Sequence, residues 1–159
     1  MNILFMTRLY SPHIGGVEKH VERICGILSK KHQIIIVCEK NDPKLSDYEK
    51  NRGVEIYRIG ESGKWAIWKW WFQHLNLINN ADIIHIHDVF FWFLPFRLPY
   101  WHKKVFMTFH GYEGANPPTW RQIFWHRVAA KLTKGNICIG DFHKKWYGVK
   151  PDFVSYGAV

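Results

Sequence analysis

The sequence predicts an α/β fold, a doubly wound parallel sheet of six to seven strands. Three observations carry this expectation. Short β-rich runs recur along the chain, helix-period stretches separate them, and several runs are continuously apolar, as strands covered on both faces are. At 159 residues, with 47% hydrophobic and 22% charged residues, the chain has the composition of one globular domain rather than of a disordered segment.

The strands are expected at NILFMT (2–7), QIIIVCE (33–39), VEIYRI (54–59), DIIHIHD (82–88), KVFMTFH (104–110) and NICIG (136–140), with a seventh in DFVSYG (152–157). The first helix spans 16–31, where Val17, Val21, Ile24 and Leu28 fall on one face. A second spans 63–80, GKWAIWKWWFQHLNLINN, and a third spans 118–133, PTWRQIFWHRVAAKLT. Residues 40–53, KNDPKLSDYEKNRG, read as a long polar loop. No repeat or low-complexity tract interrupts this order.

Three widely spaced cysteines without a CxxC motif indicate neither a disulfide framework nor a zinc knuckle. The N-terminal residues lack the features of a secretory signal, and no apolar run is long enough to span a bilayer. A cytoplasmic location is therefore expected. The net charge of +9 favours anionic partners. Nucleic acid is disfavoured among them, because the basic residues are spread along the chain and no RNP-like or helix-turn-helix pattern occurs.

In an open α/β sheet, ligands bind at the carboxyl ends of the strands, which sorts the candidate residues. Gly15 and Gly16 lie between the first strand and the first helix, where unpaired N–H groups and the helix dipole favour an anion. The same glycines also suit a plain bend with positive φ, so both readings stand. His110, at the end of a strand and followed by Gly111, is placed to reach the crevice. His85 and His87 point to one face of their strand, with Asp88 beside them. His85 lies deeper and reads as a hydrogen-bonded core residue. With His110 these histidines also suggest a metal site, but the HxH pair lacks further ligands at the spacing zinc hydrolases use. Glu18 is explained by the helix dipole alone, and His20 faces either crevice or water.

The ordered string SPHIGGVEKHV, ADIIHIHD and VFMTFHGYEG resembles the N-terminal domain of retaining, nucleotide-sugar-dependent group 1 glycosyltransferases with the GT-B fold. The resemblance covers almost the whole chain and implies a Rossmann-like, acceptor-side domain, 1–159. It implies that Gly15 and Gly16 approach the donor diphosphate and that His110 sits beside the transferring sugar. It places His87 and Asp88 on the acceptor side; Glu113, in the loop after His110, and His20, one turn into the first helix, are the further acceptor-side candidates by position. It requires no metal or other cofactor beyond the nucleotide-diphosphate sugar substrate. Such enzymes bind most of the donor in a C-terminal domain, which a chain ending at Val159 does not include, so the expectation is an acceptor-binding half, inactive alone and completed in cis or in trans. VSYGAV resembles a degenerate form of the segment that leads into that second domain.

Trp65, Ile67, Trp68, Trp71, Phe72, Leu75 and Ile78 cover nearly half of the second helix. With FFWFLPFRLPYWHKK (90–104), they form aromatic stretches edged by Lys64, Lys69, Arg97, Lys103 and Lys104. This pattern suits either burial or docking on an anionic membrane that carries a lipid-linked acceptor. A non-catalytic membrane-docking subunit of a split transferase is the alternative.

Overall fold

The computed structural model describes residues 1–111 and 117–156. Its strands are β1 (Asn2–Thr7), β2 (Gln33–Glu39), β3 (Tyr48–Asn51), β4 (Val54–Ile59), β5 (Ile83–His87), β6 (Lys104–Phe109), β7 (Gly135–Ile139) and β8 (Phe153–Ser155). They form one eight-stranded sheet in the order β3-β4-β2-β1-β5-β6-β7-β8. Every neighbouring pair is parallel except β3 and β4.

The expected class is therefore the observed one, with one strand more than predicted. The extra strand is β3, inside the stretch read as a polar loop. Its sequence, YEKN, carries no apolar alternation because it pairs only with β4 at the sheet edge, where charged side chains face water.

The helices are α1 (Gly16–Leu28), α2 (Lys64–Gln73), α3 (Leu75–Asn80), α4 (Phe90–Phe93), α5 (Trp120–Leu132) and α6 (Phe142–Tyr147). A single 3₁₀ turn, Leu94–Phe96, follows α4. The helix expected over 63–80 is thus two helices broken at His74, whose backbone leaves the helical region at φ −121° and ψ 33°. Its ring stacks on Trp70 with centroids 3.9 Å apart, and its Nδ1 lies 2.8 Å from the Trp70 carbonyl oxygen.

Strand residues alternate between two cores. Ile3, Phe5, Ile34 and Ile36 pack under Val21 and Cys25 of α1. Leu4, Met6, Ile84 and Ile86 face the larger core, which holds Trp71 of α2, Ile78 of α3, Trp92 of α4 and Tyr147 of α6. Most of the aromatic residues in the two tryptophan-rich stretches serve this core; Trp71, Trp92 and Phe93 are completely buried. His85, His87 and Thr108 point the other way, towards α1.

The order of strand addition reverses at β1. The polypeptide moves outward from β1 to β2 on one side and later returns to β5 on the other. Register places Thr7 beside His87 and His87 beside Thr108, so the carboxyl ends of β1, β5 and β6 finish level. A crevice at that switch point follows from the topology.

Candidate functional site

A cleft of about 650 Å³ opens at these strand ends. Its floor and walls come from Thr7 and Arg8 after β1, Val17 and Glu18 in the first turn of α1, Gly63 and Lys64 at the start of α2, His87 and Asp88 after β5, and His110 after β6.

The glycine pair stands directly before this wall. Gly15 caps α1 with φ −153° and ψ 175°, an extended conformation open to any residue, and Gly16 is the first helical residue. The positive φ expected for this bend is therefore absent. What Gly15 provides is space: a Cβ there would overlap the Glu18 carboxylate, which folds back over it. Glu18 Oε1 also lies 3.2 Å from His13 Nδ1. At Gly16 a Cβ would meet no atom within 4 Å, so the space beside its α-carbon is open.

The histidines form one cluster on the α1 face of the sheet. His87 Nδ1 and His110 Nε2 are hydrogen-bonded at 2.6 Å. His85 Nε2 and the Thr108 hydroxyl are 2.8 Å apart, which makes His85 the hydrogen-bonded interior residue that its position on the strand predicts. His20 of α1 turns its ring inward, with its centroid 5.0 Å from that of His110 and 6.2 Å from that of His87. Phe5 lies against His87 with ring planes 23° apart.

Burial is the main reason that these rings resist protonation, and their mutual repulsion adds to it. His85 is pushed down to about 4 and His110 to about 3. His87, fully enclosed, is held well below the ordinary imidazole value, and desolvation lowers His20 as well. At neutral pH the cluster is uncharged. Among the described residues, no group of three or more metal-ligating side chains is arranged to hold an ion; the facing nitrogens of His87 and His110 instead bind each other.

Asp88 takes a left-handed conformation, φ 58°, which Asp tolerates better than most residues. Its carboxylate accepts the backbone N–H of His110 at 3.1 and 3.3 Å. The structure therefore brings His20, His87, Asp88 and His110 together, while Glu113 lies outside the described residues. Sequence reasoning missed Arg8, Glu39 and Lys64 as cleft residues. The usable signal was positional, since Arg8 and Glu39 lie at strand carboxyl ends and Lys64 opens a helix after a left-handed glycine, Gly63, at φ 97°.

Comparison with known proteins matches residues 14–151 to the family described as Glycosyltransferase Family 4. A GDP-mannose:cellobiosyl-diphosphopolyprenol alpha-mannosyltransferase of Xanthomonas oryzae pv. oryzae is 27% identical over 124 residues, which is 70% of this chain and 31% of that protein. An uncharacterized glycosyltransferase of Methanocaldococcus jannaschii is 26% identical over 100 residues, 62% of this chain and 22% of its own length. The chain thus spans a third or less of these curated relatives.

Among solved structures, sucrose-phosphate synthase from Thermosynechococcus elongatus superposes with a TM-score of 0.74 at 12% identity, covering 96% of this chain and 47% of that one. A trehalose-6-phosphate protein from E. coli bound with UDP-2-fluoro glucose gives 0.54 at 13% identity, covering 92% and 42%. At such identities these likenesses bear on the fold alone. With the ordered motifs and the matched residues 14–151, they lead to one conclusion: the chain belongs to Glycosyltransferase Family 4 and has the fold of the Rossmann-like N-terminal domain of group 1 GT-B glycosyltransferases.

Proposed function

We propose that this chain is the acceptor-side half of a retaining glycosyltransferase. It moves a sugar from a nucleotide diphosphate to a lipid-linked or polysaccharide acceptor once a donor-binding domain closes over the cleft. The observation that carries the reading is the shared wall formed by the first turn of α1 and the uncharged His110 ring. In this reading the open amide at Gly16 meets the donor diphosphate, and the dipole of α1 takes part of its charge without a metal ion. The Glu18 carboxylate swings from Gly15 as the diphosphate arrives, because two anions do not share that place.

His110 orients the transferring sugar and responds to the charge that develops there. His20, His87, Asp88 and Glu113 belong to the acceptor side. The name of the Xanthomonas relative, with its diphosphopolyprenol acceptor, supports a lipid-linked acceptor for this chain too. Arg8 and Lys64, which border the cleft, supply positive charge suited to such a diphosphate.

The test joins the chain to a donor-binding GT-B domain, with radiolabelled nucleotide sugar as donor. The isolated chain should transfer nothing, the joined protein should transfer, and His110→Ala should remove at least nine-tenths of the rate. A full-rate variant removes His110 from the site.

A second reading, a peripheral docking subunit at the inner face of the membrane, draws on exposed aromatic residues. Trp65, Phe72, Leu98 and Trp101 are all more than half exposed. Lys64, Lys69 and Lys104 are exposed and without a partner among the described residues, whereas Arg97 donates to the Leu132 and Tyr100 carbonyls and Lys103 to those of Asn79 and Ala81. Copurification with a separate donor-binding half would favour this reading over a covalent two-domain enzyme.

A further inference from the structure

We propose that His87 is a positioning residue that holds His110 in the tautomer protonated on Nδ1, so that the ring meets the transferring sugar as a neutral N–H donor. The inference deepens the reading of His110 as a sugar-facing group and rests on it for its functional meaning. The tautomer itself is a property of this chain alone.

The argument is one of hydrogen counting. Two neutral imidazoles whose nitrogens lie 2.6 Å apart share one hydrogen, and each ring carries one in total. If His110 Nε2 donated to His87 Nδ1, the hydrogen of His87 would sit on its own Nε2. That atom is buried and has no hydrogen-bond partner among the described residues. An orphaned buried N–H is among the rarest features of folded proteins and forfeits the full solvation of the donor. In the opposite arrangement His87 Nδ1–H donates to His110 Nε2. A bare ring nitrogen is then all that is enclosed at His87 Nε2, and the hydrogen of His110 moves to Nδ1. The second arrangement strands no donor.

The surroundings keep both rings in place. Phe5 lies against His87 on one side, and the His85 ring is 4.4 Å away. Asp88 fixes the backbone N–H of His110 while His87 fixes its Nε2. His110 Nδ1 then has no partner among the described residues, and the residue borders the cleft. An N–H there suits a sugar hydroxyl oxygen as acceptor. A neutral donor also adds no positive charge beside an anomeric carbon that becomes positive as the glycosidic bond to the leaving group breaks.

The experiment is long-range 1H–15N correlation NMR of the histidine-labelled chain at pH 7.5, with each ring assigned by substitution. The expected result is a protonated Nδ1 and a bare Nε2 on both His87 and His110. A proton on His110 Nε2, or a charged His110 ring, overturns the inference. In His87→Phe, with peaks remote from the cleft unshifted, His110 should lose its fixed tautomer and exchange between the two forms; an unchanged Nδ1–H tautomer also overturns it. Should His87→Phe fail to fold, the wild-type spectrum decides alone. Because no step requires catalysis, failure here leaves the transferase reading standing, and failure of transfer leaves the tautomer standing.

Discussion

At Gly15 and Gly16, two adjacent glycines serve different ends. The first leaves room for the side chain of its own helix, Glu18, which lies over it; that carboxylate is flexible, so a Cβ at Gly15 would displace it at little cost. The second faces open space in an ordinary helical conformation, so no local packing explains it. Gly16→Ala should therefore leave the melting temperature unchanged or raise it slightly, since glycine in a helix costs about 0.5–1 kcal/mol relative to alanine. In the joined two-domain protein the same methyl should raise the KM for the nucleotide sugar at least tenfold. Thermal unfolding and donor titration measured together separate the two effects, and an unchanged KM would show that the bare amide is not used. The residue types GG, H and HxHD were legible in the sequence. The meeting of His87 with His110 was not, because it depends on the register of β5 against β6.

Among the elements, strands were read more reliably than helices. β1 and β2 are apolar almost throughout because both faces are covered, and β1, β2, β5 and β6 each lie within about one residue of their expected bounds. α5 was found through its periodicity, and its start is fixed by a reciprocal capping box between Thr119 and Gln122. The tryptophan-rich stretch misled because it is apolar almost all round, so no phase marked the break at His74. Within α2, Ile67 and Trp71 are buried, while Trp65 and Phe72 project outward. That exposed stripe beside Lys64 and Lys69 gives the docking reading its test. The chain should cosediment with phosphatidylserine vesicles and not with phosphatidylcholine vesicles, and Trp65→Ser with Phe72→Ser should cut recovery severalfold. Equal recovery near zero with both lipids removes membrane docking.

For the whole molecule, the buried histidines couple stability to acidity. When unfolded, these rings take a proton near pH 6.5; when folded, His85 does so only near pH 4 and His110 only near pH 3, chiefly because burial opposes the charge. Between those values the unfolded chain binds more protons, so stability is present above pH 6.5 and is lost as pH falls. Each of the two rings should remove roughly 2 kcal/mol by pH 5, before carboxylates begin to titrate. Urea unfolding at pH 7.5 and pH 5 measures the difference, and equal midpoints would mean that the rings are already charged in the folded state.

The sequence by itself determined the α/β class, the strand sequence and the residue types at the strand ends, because apolar periodicity and turn chemistry are local properties. The tertiary structure alone decided the order of the strands, the edge strand at 48–51, which tryptophans are buried, Trp71 and Trp92 among them, and the histidine cluster. Each of these arises from pairing between segments far apart in the chain. Side chains separated by 23 residues, such as His87 and His110, become partners only when their strands lie side by side.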